Sequence, residues 1–302
     1  MNFRRLTPVF RLRGEVNNMV IRTFLLIGLL MSSACVIAVD GIGEANYVNL
    51  KKSEPAGDEE LVKASLDVNV GQIEVEPGSP DTSFELDIHY NELAFEPQVE
   101  FNREGGIARL SIELEGGRKS FRGLGDNTLF LKLRPDVPLQ LETNTGIGEC
   151  NINLTGMKIQ SVELQSGVGE TKLTMLEPNR ITCENVEIAS GVGGLELVGL
   201  GNLAFEELEF RGGIGEATLD FSGTWDTIGN IEIEVGAGTI ELLLPRDIGA
   251  EIRVSKTFLS DFDLPRFEKK GDTYYSDNLD RASKIIKFRI NAGIGHVELD
   301  WI

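Results

Sequence analysis

Apolar and polar residues alternate along most of the chain beyond residue 60. In "SVELQSGVGETKLTM", residues 161–175, Val162 and Leu164 precede a pair of glycines, and Leu173 and Met175 follow it. A period of two predicts β-strands with one buried face. Helical periodicity is hard to find after residue 40. The pattern therefore predicts an all-β chain.

A single motif, two glycines around one residue, accompanies this alternation. Its copies hold Gly146 and Gly148, Gly167 and Gly169, Gly191 and Gly193, Gly213 and Gly215, Gly236 and Gly238, and Gly293 and Gly295, and a degenerate copy holds Gly71 alone. The first glycines of the first five complete copies are 21, 24, 22 and 23 residues apart, and the last follows after 57. A step of this size is typical of solenoid repeats, each of which is too small to bury its own apolar face.

The alternation changes phase at each glycine pair. Before the pair, the residues predicted to face the core are Val162, Leu164, Val186, Ile188, Leu208, Phe210, Ile231, Ile233, Phe288 and Ile290. The residue between the glycines keeps this phase and is predicted to face inward as well: Ile147, Val168, Val192, Ile214, Ala237 and Ile294. After the pair the inward set shifts by one residue, to Leu173, Met175, Leu195, Leu197, Ala217, Leu219, Phe221, Ile240, Leu242, Leu244, Val297, Leu299 and Trp301. Such a slip needs a backbone correction, which glycine supplies because it tolerates positive φ. All the motif glycines are therefore predicted to be structural corners.

These observations predict a single-stranded β-solenoid of about 22-residue rungs over residues 63–302. Residues 63–140 are expected to form an irregular part in which antiparallel strands cap the first rungs, and residues 141–244 are expected to form regular rungs. Residues 245–302 form a hairpin-like insertion, with a turn at "EKKGDTYY", followed by the last rung. Residues 39–62 are interpreted as a linker.

The N-terminal 38 residues have a different character. Arginines precede the apolar run "FLLIGLL", Phe24–Leu30, and small residues follow in "MSSACVIA". This is the pattern of a signal peptide or membrane anchor, with Met19 as a candidate true start. "SSAC" is similar to a lipobox, in which Cys35 is lipidated, and cleavage before Val39 is the alternative. The protein is therefore expected to be exported, as a membrane-anchored lipoprotein or as a periplasmic or extracellular protein.

The charge of the chain restricts its partners. Forty-eight acidic residues against 29 basic ones give a net charge of −19. Such a chain repels nucleic acid and anionic lipid, so we expect no nucleic-acid partner and membrane contact only through the N-terminal anchor. The expected partner is an envelope protein or a polysaccharide.

Candidate chemistry is sparse. No glycine pair opens a helix or is followed by Gly-Lys-Ser/Thr, which disfavours a phosphate loop. Glu149, Glu170 and Glu216 are predicted to form a surface column, either simply solvated or binding a cation weakly. Asp261 and Asp263, the nearest carboxylate pair, fall in an apparent loop. No catalytic, metal-binding or cofactor-binding residue is predicted, and the chain is not expected to be an enzyme.

The remaining reactive side chains also favour structural roles. His89 and His296 are too far apart in sequence to suggest a metal site. Cys150 occupies an inward position of the repeat and is interpreted as a small core residue, like other buried free cysteines. The two cysteines outside the N-terminal segment, Cys150 and Cys183, do not form a disulfide framework or a Cys-x-x-Cys motif.

The repeats carry a resemblance to a known family. "GIGE", "GVGE", "GAGTIELLLP", "LDVNVGQIEVEPG" and "NAGIGHVELDW" resemble the toast-rack family of bacterial envelope proteins, over about residues 62–302. The family includes domains related to the C-terminal part of Lia-type cell-wall stress regulators. The resemblance implies a β-solenoid, a signal peptide or membrane anchor, and no catalytic residues. Ile or Val usually replaces the middle Ala of the family motif, and the bundle of transmembrane helices of the Lia-type regulators is absent.

Three functions follow as hypotheses. The first is a non-catalytic, adhesin-like scaffold or binding module anchored in the cell envelope. The second is an extracytoplasmic domain that senses envelope stress through a protein partner, which predicts an exposed apolar patch. The third and most distant is a carbohydrate-active enzyme, which predicts a cleft with convergent carboxylates.

Overall fold

The computed structural model describes residues 45–116, 127–225 and 229–302, with the backbone alone at 256–259. The predicted signal segment and Cys35 lie outside these residues. Ala45–Ile302 forms one compact unit. Its strands are β1 (Tyr47–Pro55), β2 (Leu61–Val70), β3 (Gln72–Pro77), β4 (Thr82–Asn91), β5 (Phe95–Glu104), β6 (Ile107–Gly116), β7 (Thr128–Leu133), β8 (Pro138–Ile147), β9 (Cys150–Asn153), β10 (Lys158–Thr174), β11 (Asn185–Val198), β12 (Glu207–Asp220), β13 (Asn230–Leu244), β14 (Gly249–Asp263), β15 (Phe267–Lys270), β16 (Thr273–Ser276) and β17 (Ile285–Trp301).

The fold is the predicted all-β solenoid. The regular rungs β10, β11, β12, β13 and β17 pair in parallel, so that equivalent residues of successive motif copies are directly opposite each other. Each of these rungs is one long strand that runs through its glycine pair. We call the residues before the pair the first leg and those after it the second leg. In the two earliest copies the strand is interrupted at the corner, giving β2 with β3 and β8 with β9.

The core lies inside the bend, and the connections between rungs close it. The residues predicted to face inward before and after the glycine pair are buried, except Trp301, which is half-buried. The connections add the buried side chains of Cys183, Phe205 and Trp225. Asn179, also buried, donates hydrogen bonds from Nδ2 to the carbonyl oxygens of Ile159 (2.7 Å) and Leu203 (3.0 Å). Because buried polar groups need partners, this asparagine fixes the connection to both neighbouring rungs.

The residues between the glycines do not face the core, so that part of the prediction is wrong. Val168 is 47% exposed and Ile214 is 61% exposed. In β10, Thr171 and Leu173 point inward while Val168 and Glu170 point outward. The phase therefore slips at the first glycine and not after the second. Because the strand bends at the second glycine, the residue before it lies on the convex side of the bend.

Glycine is needed at the corner for two reasons, which Gly169 illustrates. Its φ is +144°, which L side chains rarely adopt. A Cβ atom built on it would also overlap the carbonyl oxygen of Gly148 in the preceding rung. At the first glycine of the pair only the steric restriction applies: a Cβ atom on Gly167 would overlap the carbonyl oxygen of Gly146. The stacked backbones thus fill the space that side chains would need.

Antiparallel strands cover the N-terminal end of the solenoid, as predicted. On the first leg, β6 pairs with β2 in parallel and with β5 antiparallel. On the second leg, β7 pairs with β3 in parallel, and β4 and β1 follow antiparallel. Strand β1 lies within residues 39–62, so the central part of the segment interpreted as a linker is an edge strand. The sequence alternation is weak there because no residue of β1 is fully buried.

At the C-terminal end of the solenoid, the order of the strands in the sheet differs from the prediction. The predicted hairpin is present as β15 and β16. Residues 249–263, however, do not form part of the hairpin-like insertion, because β14 pairs in parallel with β17 as a further rung that lacks the glycine pair. Strand β17, the last in sequence, lies between β13 and β14. The strand register shifts between Lys256 and Leu259 of β14, where the glycine corner is missing.

A buried carboxylate, Glu59, fixes the N-terminal cap. It accepts hydrogen bonds from the backbone N–H of Gly57 (2.8 Å) and from the hydroxyl of Ser83. The guanidinium groups of Arg103 and Arg134 lie 3.5 and 3.6 Å from its oxygens. Burial alone raises the pKa of Glu59, but the hydrogen bonds from Ser83 and the backbone, together with the charge of Arg103, outweigh it and lower the pKa below the ordinary value.

The corner geometry predicts the effect of Gly169→Ala. Backbone strain and overlap with the Gly148 carbonyl should together lower the free energy of unfolding by about 3 to 5 kcal/mol. Gly271→Ala is the matched control, because Gly271 has a φ of +65° but open space around its Cβ position. It should cost about 1 to 2 kcal/mol from strain alone. Urea unfolding of both variants measures the difference, and equal losses would contradict the role of close rung stacking.

The Glu59 cluster predicts a pH dependence. Because the folded pKa is lowered, the stabilisation by Glu59 is complete above its unfolded pKa of about 4.3 and is lost as pH falls through the folded pKa. Glu59→Gln should therefore lower the free energy of unfolding at pH 7 by about 2 kcal/mol, with the difference from the unsubstituted protein shrinking in acid. Thermal unfolding between pH 7 and pH 3 tests this. The exposed neighbour Glu60 provides the control Glu60→Gln, and a pH-independent loss for Glu59→Gln would refute the assignment.

Candidate functional site

An aliphatic column runs along the convex side of the corner. It consists of the residue before the second glycine of each motif copy, and we call it the aliphatic ladder: Val70, Ile147, Val168, Val192, Ile214, Ala237 and Ile294. Five of its members are exposed large aliphatic residues. With rungs about 4.8 Å apart, the six steps of the ladder span about 29 Å. A continuous apolar stripe of this kind on a soluble surface is typical of an interaction site.

The predicted glutamate column borders this ladder on the second leg. Glu170 and Glu216 occupy equivalent positions of their rungs, with Gly194 between them. A Cβ atom on Gly194 would overlap the Glu170 carboxylate, so the glycine leaves room for that side chain. Glu149 accepts a 2.8 Å hydrogen bond from the amide of Gln72. Across residues 45–116, 127–225 and 229–302, no group of His, Cys, Asp and Glu side chains has an arrangement that could hold a metal ion.

A second and longer column of glutamates lies on the first leg, and the sequence analysis missed it. Its members are Glu142, Glu163, Glu187, Glu209 and Glu232, one on each successive rung. Like charges directly opposite each other repel. Neighbouring side chains offset part of that repulsion: Gln165 donates to Glu163 at 2.8 Å, and Arg289 lies 3.2 Å from Glu232. Each of these glutamates lies four residues before the first glycine of its motif, a regularity that an alignment of the copies would have revealed.

A polar groove crosses the N-terminal part of the same outer face. It encloses about 480 Å³. Its lining comes from five neighbouring strands, and the exposed or half-buried polar side chains are Lys63, Ser65, Glu100, Asn102, Arg109, Ser111, Gln140, Glu142, Ser161 and Glu163. The cap strands β5 and β6 form one end of this groove, and the first rungs form the other.

The cysteines and histidines considered in the sequence analysis do not form a common site. Cys150 and Cys183 are buried free thiols, and burial raises the pKa of each to about 12. Thiols of this kind are poor nucleophiles at neutral pH, in agreement with the core role expected for Cys150. His89 stacks on Tyr47 in the N-terminal cap, whereas His296 lies at the opposite end of the motif columns.

The carboxylate pair of β14 is not in a loop, which corrects the prediction. Asp261 and Asp263 are exposed on one face of that strand. The imidazole Nδ1 of His296 lies 3.7 Å from a carboxylate oxygen of Asp261. The strand forms because β17 offers a parallel partner, which the local sequence does not reveal.

No helix among the described residues has the length and apolar composition required to cross a bilayer. The predicted lipidation residue Cys35 and the apolar run Phe24–Leu30 lie outside the described residues, so anchoring stays a prediction.

Comparisons with known proteins identify relatives of the chain. A family model described as the N-terminal domain of toast_rack matches residues 42–198. A search of curated proteins found no match. A solved structure of a proposed cell adhesion protein from Clostridium sporogenes is 17% identical, with a TM-score of 0.49, and the match covers 85% of this chain and 100% of that one.

Two further solved structures show a weaker likeness. A proposed adhesin from Bacteroides fragilis is 14% identical with a TM-score of 0.33, and the match covers 84% of this chain and 97% of that one. A proposed lipid binding protein from Parabacteroides distasonis has the same identity and TM-score, with coverages of 84% and 98%. Identities and TM-scores this low carry no information about function, so the function of the chain has to be inferred from its own surface.

Proposed function

The chain belongs to the toast-rack family, and on that premise we propose that it is a non-catalytic binding module anchored in the cell envelope. The observation that carries the proposal is the aliphatic ladder, a straight apolar stripe held on a rigid stack of rungs. Exposed Val168, Val192 and Ile214 cost solvation free energy that a bound partner recovers. A regular face of this kind suits recognition of another macromolecule.

The negative charge beside the ladder determines which class of partner can bind there. Three of the seven positions beside the ladder on its second-leg side are glutamates, Glu149, Glu170 and Glu216, and the whole chain carries a charge of −19. A second copy of the protein would bring two acidic columns together, and anionic lipid would meet the same repulsion. A cationic, amphipathic protein segment satisfies both the apolar stripe and the carboxylates beside it.

An α-helix is the best match in dimensions. Its turns repeat every 5.4 Å, close to the rung spacing of about 4.8 Å. About 19 helical residues, with one apolar position per turn and lysine or arginine beside it, cover the 29 Å of the ladder. Docking of an amphipathic helix on an apolar surface is a recurring mode of recognition.

The same ladder favours the second candidate, an extracytoplasmic sensing domain that acts through a protein partner. Both functions use the ladder in the same way and differ only in what the bound partner does next. A carbohydrate-active enzyme has less support, because Asp261 and Asp263 lie exposed on the outer surface of a strand.

Substitution of the ladder tests the binding proposal. The variant Val168→Thr/Val192→Thr/Ile214→Thr keeps β-branched side chains and removes apolar surface. It should weaken binding of a 19-residue Lys/Leu amphipathic helical peptide at least tenfold, measured by fluorescence anisotropy. The matched control is Glu187→Gln/Glu209→Gln/Glu232→Gln, which changes the same number of rungs on the first leg and should bind nearly as well as the unsubstituted protein.

A peptide of opposite charge tests the role of the acidic side chains beside the ladder. A Glu/Leu peptide of the same length should not bind, because it meets the acidic column. If it binds as well as the Lys/Leu peptide, or if the threonine variant binds as tightly as the unsubstituted protein, the ladder is not the partner site.

Membrane anchoring is a separate part of the proposal and has its own test. Cys35→Ala should release the protein from the membrane fraction and leave the signal segment processed differently, because lipidation requires the thiol. Fractionation followed by mass spectrometry of the mature N-terminus measures both. Retention in the membrane with unchanged processing would contradict lipidation at Cys35.

A further inference from the structure

The geometry points to a second binding site, the polar groove on the first leg, which takes an acidic saccharide: a hydroxylated sugar chain that bears a carboxylate or phosphate. This inference goes beyond the proposed function, because it uses a different surface and different chemistry from the aliphatic ladder. Two unpaired cations, a floor of serines and carboxylates at both ends define the site.

The cations are the first observation. Lys63 on β2 and Arg109 on β6 are directly opposite each other in a parallel pair, about 4.8 Å apart along the sheet. Like charges in this position repel. Within the part of the chain that the structure describes, neither residue has a salt bridge or a side-chain hydrogen bond. In a chain with 48 acidic residues and 29 basic ones, two adjacent cations without a carboxylate partner form an anion site.

The floor of the groove is the second observation. Ser65 and Ser111 are also directly opposite each other, two residues further along β2 and β6. Their small side chains leave the depression between the longer side chains around them. Hydroxyl groups donate and accept hydrogen bonds, so this floor suits a ligand that is rich in hydroxyl groups.

The ends of the groove complete a grid of side chains over four strands. In the serine row, Glu100 is opposite Ser111 and Glu142 is opposite Ser65. In the row of the cations, Asn102 is opposite Arg109 and Gln140 is opposite Lys63. The grid is about 14 Å across the four strands, with about 7 Å between the two rows.

The arrangement of charge determines the class of ligand. One anionic group fits between the ammonium and guanidinium groups of Lys63 and Arg109. At the ends of the neighbouring serine row, Glu100 and Glu142 accept hydrogen bonds from neutral hydroxyl groups and repel further anions. A polyanion with a charge on every unit, such as nucleic acid, would place phosphates against these carboxylates. An apolar ligand would leave the polar groups of the grid without partners.

The test uses the full chain and oligosaccharides of defined structure. The first probe alternates a uronic acid with a neutral sugar, the second bears a phosphate on every other sugar, and the third is neutral and of the same length. We expect the two acidic probes to bind in isothermal titration calorimetry and the neutral probe to bind at least tenfold more weakly. The better acidic probe identifies the source of the anion.

Substitutions test whether the acidic saccharides bind in the polar groove. Lys63→Gln/Arg109→Gln should weaken both acidic probes at least tenfold. The matched control Lys51→Gln/Lys172→Gln also removes two surface cations, which lie beside Asp87 and Glu196 and outside the groove, and it should bind as the unsubstituted protein does. Circular dichroism verifies folding, and if the double variant does not fold, Ser65→Leu, which fills the floor, takes its place with the same expected loss.

Several results would overturn the inference. These are equal binding of the neutral probe, loss of binding in the control variant, no binding of either acidic probe, or inorganic phosphate alone binding as tightly as the saccharides. The threonine variant of the aliphatic ladder should bind the acidic probes normally, so failure of one site is distinguishable from failure of the other.

Discussion

The close stacking of backbone at the corner is the constraint on which the rest of the structure depends. The carbonyl oxygen of one rung occupies the place that a Cβ atom would take in the next, as between Gly148 and Gly169. Complete copies of the motif can therefore stack this closely because both positions of the pair are glycine. That register brings equivalent residues of every copy into straight columns. The aliphatic ladder and both glutamate columns result from it.

The columns explain why a structural repeat can produce binding surfaces. A single exposed valine such as Val168 is unremarkable on a protein surface. Seven equivalent residues in a line form a stripe with a fixed spacing, and the partner need only share that spacing. The polar groove arises differently, because it lies where the capping strands β5 and β6 meet the first rungs. Regular and irregular parts of the fold thus provide sites of different chemistry.

The sequence was sufficient to predict the solenoid and nearly all of its core, because the alternation of residues such as Leu164 and Leu173 records burial directly. It was insufficient at Val168, since a period of two does not show on which side of a bend a residue lies. Strand β1 and the pairing of β14 as a further rung were missed for another reason: each depends on a partner strand distant in sequence. The groove was also beyond prediction. Lys63 and Arg109 are 46 positions apart in sequence, and only the pairing of β2 with β6 brings them together.

The placement of β17 between β13 and β14 affects how such a protein is made and how it evolves. The edge of β13 has no partner until β17 has been synthesised, so the C-terminal rungs assemble only after that point, through contacts of long sequence separation that fold slowly. The middle of the stack has a different property. A repeat inserted between β10 and β13 simply lengthens the stack, because successive rungs there pair in parallel and in register. Variation in repeat number among relatives is therefore expected in the middle of the chain, and the aliphatic ladder would grow or shrink with it.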